Sequence, residues 1–220
     1  MNMATKKSST KNSDCKVTVT IGANDIMKYL KLLCFGDTSD SKKKYKAAIN
    51  RAYCDFCRTI RFKDKQQDEK SKSEVKRNII SFVESSIKTA AKEKDNQVEF
   101  DKWHKQTCEG IIKRFSPLAK LNYGQAQKWL NMTLKYLLVL DVEEVTRLIH
   151  YLHIPVDNNV IKIAKEEINI PATNLPWSKW EYNTYVTYQE GLRKAIGDGI
   201  SPIIWELDHW KNYTASDVGH

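Results

Sequence analysis

The chain has 220 residues, 41% of them hydrophobic, and 36 basic side chains against 27 acidic ones give it a formal charge of +9 and an isoelectric point near 9.2. That length holds one large domain or two small lobes around a cleft, with enough apolar residues for a true core. The positive balance points to a polyanionic partner, nucleic acid first and an acidic membrane surface second. No run of about 18 apolar residues occurs, which excludes a membrane-spanning helix.

The opening stretch MNMATKKSSTKNSD is basic and has no apolar core behind it. It is expected to be a disordered, phosphate-seeking tail over residues 1–16, not a secretory signal. A cytoplasmic protein is expected, with Cys15, Cys34, Cys54, Cys57 and Cys108 as reduced thiols. Cys54 and Cys57 form a lone C-x2-C pair. A tetrahedral metal needs four ligands, so both sulfurs are expected to face the core, with no metal and no cofactor bound. No four-cysteine cluster is present to hold an iron–sulfur centre.

Val/Thr alternation occurs only in CKVTVTIG, residues 15–22; nearly everything after it has helical spacing, which makes the class all-α. ANDIMKYLKLLC places Ile26, Tyr29, Leu30 and Leu33 on one face. SKKKYKAAINRAYCDFCRTIRF continues with Tyr45, Ala48, Ile49, Ala52 and Phe56 inward. FKDKQQDEKSKSE is a charged linker or a frayed helix end, and VKRNIISFVESSIKTAA is amphipathic. VEFDKWHKQTCEGIIKRF follows, with Asp101 as an early cap and Pro117 closing the run.

GQAQKWLNMTLKYLLVL, residues 124–140, is apolar nearly all round and is expected to be central and buried. DVEEVTRLIHYL is a short helix with Asp141 as its expected N-cap, and PVDNNVIKIAKEE starts the next one at Asp157. After the loop NIPATNLP come WSKWEYNTYVTYQEGLRKAI and a last helix, PIIWELDHWK, with Pro202 in its first turn. A helical domain is expected over 17–212, with a frayed tail at 213–220. His150 and His153 have no third ligand at useful spacing, so packing or a phosphate role is expected of them. No P-loop, G-x-S-x-G or H-E-x-x-H motif occurs.

The order of the central pieces is suggestive: a turn with Gly124, a buried helix, the apolar approach LHIPVD, then a helix with Val160, Ile163 and Ala164 inward. Unpaired amides at the Gly124 turn are expected to hold a phosphate. PVDNNVIKIA resembles the Val-Asp-x-x-apolar-x-x-apolar-Ala stretch of helix-hairpin-helix DNA glycosylases. The long gap from Gly124 to Asp157, together with SPIIWELDHW, is similar to the archaeal 8-oxoguanine DNA glycosylase branch. The resemblance covers about residues 95–212, with the hairpin and catalytic unit at about 113–167. It implies two helical lobes around a cleft and a monomer acting on double- or single-stranded DNA with a modified base.

The chain departs from the family hairpin. KLNYGQAQK has one glycine, and where lyase-competent members carry lysine it has Ala126; Lys128 lies a little further on. With a shifted register Lys128 becomes the imine-forming amine. Without it the enzyme is monofunctional, and Lys128 binds at most a phosphate. Asp157 suits stabilisation of a cationic sugar and activation of the nucleophile, but it equally suits a plain N-cap, and both roles are compatible.

Base extrusion needs flat side chains, and the chain has six tryptophans and ten tyrosines. Trp205, Trp129 and Trp103 are the candidate base-pocket residues, with Glu206 or Asp208 to accept from a purine edge. Gly124, Gln125, Lys120, Arg114 and Lys113 are the candidate DNA-holding residues. The function expected is excision of a modified base, in repair or antiphage defence. The alternatives are a non-catalytic helical DNA-binding protein and a helical regulator acting on other proteins.

Overall fold

The computed structural model describes residues 22–64, 68–171 and 173–217, with 211–217 as backbone only. The expected tail at 1–16, the Val/Thr alternation up to residue 21 and the last three residues lie outside the described residues.

Four polar side chains set where helices begin, because the first turn of a helix has amides with no partner inside it. Asp40 accepts from Lys43 N (2.8 Å), Asp68 from Ser71 N (2.9 Å), Asn96 from Glu99 N (2.9 Å) and Asp157 from Val160 N (2.9 Å). They start α2 (Ser41–Phe56), α3 (Glu69–Glu93), α4 (Gln97–Phe115) and α7 (Asn158–Ile168), in the company of α1 (Ala23–Phe35), α5 (Tyr123–Val139), α6 (Glu143–Thr146), α8 (Tyr182–Ile196) and α9 (Pro202–Asp217). Two 3-10 turns, Cys57–Thr59 and Trp177–Lys179, complete an all-α fold among the described residues. No described helix is long and apolar enough to cross a membrane.

α5 is the central strut. Every residue from Tyr123 to Lys135 is buried, and α2 packs along it more extensively than any other element. Tyr45, Ala48, Ile49, Ala52 and Phe56 form the inward face of α2. Trp129 locks the two helices: its indole donates to the Ile49 carbonyl (2.9 Å), and its rings meet Phe56, Phe115 and Tyr53. The buried side chains make one continuous core from α2 to α9.

Several expectations need correction. Asn96 caps α4, and Asp101 lies a full turn inside it. Asp141 is not the cap of α6; it adopts a left-handed backbone (φ 53°) and pairs with Lys31, and Val142 precedes the helix. α2 stops at Phe56, after which the chain turns and Phe62 bridges to Ala119. Cys54 is exposed and Cys57 half-buried, because at 100° per residue Cys54 lies away from the Ala52 and Phe56 face. On α1, Ile26, Tyr29, Leu30 and Leu33 are exposed. That helix meets the body near its C-terminal end, through Phe35 against Tyr136 and the Lys31–Asp141 pair.

Candidate functional site

The site begins with a short extended segment. Leu152 to Val156 is buried yet belongs to no helix, so its backbone needs partners from elsewhere. Two glutamines supply them. Gln189 of α8 donates to the Ile154 carbonyl (2.7 Å) and accepts from its N–H (3.2 Å). Gln127 of α5 does the same for Val156, at 2.9 and 3.3 Å. Pro155, between them, has no N–H to satisfy.

Gln127 and Val156 have as chain neighbours Lys128 and Asp157. Lys128 Nζ donates to Asp157 Oδ2 at 2.6 Å, while Oδ1 of the same carboxylate caps α7. The Lys128 side chain is 6% exposed and that of Asp157 25% exposed, so the pair sits at the floor of an opening and not on the surface. Asp157 is thus cap and ion-pair partner at once.

The opening is a cleft of about 560 Å³ between α2, α5 and α9. Two turns beyond Lys128 on α5, Lys135 donates to both oxygens of Glu206 (2.8 and 2.7 Å). Its ammonium lies 5.4 Å from the Trp210 ring centre, within cation–π range. Tyr136 donates to Asp55 (2.7 Å), and that bond, with burial as the larger cause, raises the phenol above its ordinary value and keeps it protonated. Arg51 and Arg58 line the α2 side. A cleft with four cations, three carboxylates, a phenol and an indole can hold an anionic, flat-ringed ligand over the Lys128–Asp157 pair.

Behind the floor lies a buried polar network. Asp101 accepts from His153 Nε2 (2.6 Å), Gln97 (2.8 Å) and Arg193 (3.0 Å). Burial raises its pKa, but His153, Gln97 and Arg193 outweigh it and hold the carboxyl at about 2. Tyr185 donates to His153 Nδ1 (2.8 Å) and accepts from Asn131 (2.8 Å), whose carbonyl oxygen accepts from His104 Nε2 (2.8 Å). Burial holds both histidines below their ordinary value, and every ring nitrogen has its partner with both rings neutral. His150, by contrast, is exposed.

The other expected site residues are scattered. Gly124 is not a phosphate-holding turn: its amide donates to the Trp180 carbonyl (2.9 Å). A Cβ there would sit 1.9 Å from the Trp177 carbonyl oxygen, so glycine is required for the close approach of that segment. Gln125 is tied to Thr59 and to the Asn122 amide. Lys120 lines a groove beside the cleft, whereas Lys113 and Arg114 line neither; Arg114 stacks over Phe82. Trp129 is core, and Trp103 donates to Ser86 away from the cleft. Trp205 is buried against His209, and Asp208 is exposed. Of the expected base-pocket residues only Glu206 lines the cleft. Sequence reasoning missed Arg51, Arg58, Lys135 and Tyr136, and on the last helix it favoured Trp205 over Trp210. One usable signal existed: Lys128 and Lys135 are seven residues apart on α5 and share a face.

No family model, no curated protein and no solved structure matches the chain. Among the described residues no three His, Cys, Asp or Glu side chains gather to hold a metal ion.

Proposed function

We propose that the protein is a DNA glycosylase of the helix-hairpin-helix kind, acting as a cytoplasmic monomer on a modified base. In this proposal α4, its turn and α5 stand for the hairpin, and the two sides of the cleft stand for the lobes. One observation carries it: Lys128 and Asp157 lie 2.6 Å apart on the floor of a cleft rich in cations. N-glycosidic cleavage needs a fixed carboxylate beside the sugar and a nucleophile at C1′. In the lyase route Asp157 first accepts a proton from the Lys128 ammonium, freeing the amine. The amine forms a bond to C1′ as the C1′–N bond breaks, and its electron pair leaves with the base. Asp157 then gives the proton to the departing base, so protons and charge balance. In the monofunctional route a water replaces Lys128 and gives its proton by the same path. Trp210, Tyr136 and Glu206 line the cleft and would stack on and hydrogen-bond the extruded base in exchange for their present partners.

The rival reading, a helical DNA-binding protein without catalysis, is favoured by the structural engagement of Asp157, each of whose oxygens already has a partner. A panel of duplexes, each with a different modified base and including 8-oxoguanine, separates the two when assayed for abasic sites. The enzyme predicts base release from at least one duplex, lost in Asp157→Asn with DNA affinity retained. A borohydride-trapped adduct absent in Lys128→Gln establishes the lyase route. Full DNA affinity with no base released from any duplex leaves the binding protein.

A further inference from the structure

Beside the cleft runs a second opening, a groove of about 470 Å³. One wall is the segment after α2, with Arg58 and Arg61. The other is the α4–α5 connection and the second 3-10 turn, with Lys120 and Lys179. The remaining lining is neutral, and no carboxylate is part of it. Arg58 lines both groove and cleft, so the two openings are joined at that side chain.

The four cations are exposed, and among the described residues none of them is in an ion pair. Several cations elsewhere are arranged differently. Lys43 pairs with Asp37, Lys72 with Glu69, Lys88 with Glu84 and Lys102 with Glu99. Three separate chain segments thus bring four unpaired cations to one groove that has no carboxylate in its lining and adjoins the cleft. Like charges gathered around one groove repel, and an anion with several charges along its length relieves them.

We propose that this groove binds the phosphodiester backbone of one nucleic-acid strand, leading it past Arg58 so that the neighbouring nucleotide meets the cleft. The inference rests on the proposed glycosylase site only for what the cleft receives; binding in the groove needs no catalysis. Contacts of this kind give affinity and register, with no choice of sequence.

The test is anisotropy of a labelled, unmodified oligonucleotide, single-stranded in one arm and duplex in the other, at two salt concentrations and with the full chain. The variant is Arg61→Gln/Lys120→Gln/Lys179→Gln, which spares Arg58 because it also lines the cleft. Affinity is expected to fall at least about tenfold at low salt, and the log K against log salt slope to flatten by about 0.7 per lost contact for a single strand or about 0.9 for a duplex. The arm that shows the loss identifies the strand as free or paired. Lys88→Gln/Lys92→Gln/Lys102→Gln removes the same charge from α3 and α4 and is expected to change neither quantity. Lys120→Arg/Lys179→Arg is expected to keep wild-type affinity. Unchanged binding by the groove variant in both arms overturns the proposal, as does an equal loss in the α3/α4 variant. Absence of base release with the groove effect intact rejects the catalytic reading alone.

Discussion

Gln127 Nε2 donates to the Val156 carbonyl at 2.9 Å while its Oε1 accepts from the Val156 amide at 3.3 Å. This two-point clamp fixes the register between α5 and the extended segment, and the next residue on each side is a member of the Lys128–Asp157 pair. The pair is therefore a consequence of backbone satisfaction one residue earlier.

Asp157 does two jobs that substitutions can separate. Asparagine remains a good N-cap but loses the charge partner of Lys128; alanine loses both. Asp157→Ala is expected to cost about 1 kcal/mol more than Asp157→Asn, since a lost cap costs about that much. Lys128→Met in the Asp157→Asn background is expected to recover stability, with a coupling of about 1–3 kcal/mol in a urea-unfolding cycle. Additive effects would show that the ion pair contributes nothing.

The second pair is buried more deeply, with Lys135 and Glu206 side chains 11% and 4% exposed. Lys135→Ala strands the Glu206 carboxylate and is expected to cost about 3–5 kcal/mol. Lys135→Met/Glu206→Leu removes both charges and is expected to come much closer to wild-type stability. Chemical denaturation of the three proteins checks the order.

Two glycines should respond in opposite directions. Gly124→Ala drives a Cβ into the Trp177 carbonyl oxygen at 1.9 Å, against backbone that cannot swing aside. A loss of about 3 kcal/mol or more is expected, in line with overpacked sites. Gly191→Ala in α8 has only Ile170 at 3.8 Å and is expected to gain about 0.5–1 kcal/mol from helix propensity. Melting temperatures distinguish the two.

The buried histidines make stability depend on pH. Burial lowers the His104 and His153 values in the folded state, so at mildly acidic pH the unfolded chain binds more protons. Stability from this source is full above the ordinary histidine value of about 6.5 and is lost as pH falls below it. Asp101 adds a further loss only at much lower pH, as pH falls from the ordinary 3.8 through its folded value of about 2. Between pH 7 and 5.5 a loss of about 1 kcal/mol is expected from His104 alone, read from urea midpoints. His104→Gln, which carries no titrating ring, should flatten that dependence.

The residues themselves determined much that is local. Five apolar positions at 3.6-residue spacing were enough to name the inward face of α2, and the all-round apolar run from Gly124 marked α5 as central. Asp157 was legible as a cap because a cap is satisfied by an amide only three residues on. Where local signals competed, the sequence misled: Asp101 and Asp141 each precede a helical pattern, but one joins a buried network and the other turns out to Lys31.

The tertiary structure alone decided what meets what. Nothing in the spacing says that Glu206 neutralises Lys135, that Trp177 crowds Gly124, or that the apolar face of α1 is left uncovered among the described residues. Periodicity is written over a few neighbouring residues, whereas a salt bridge, a close backbone approach or a shared groove depends on how distant helices cross. That crossing is set by the packing of the whole core around α5.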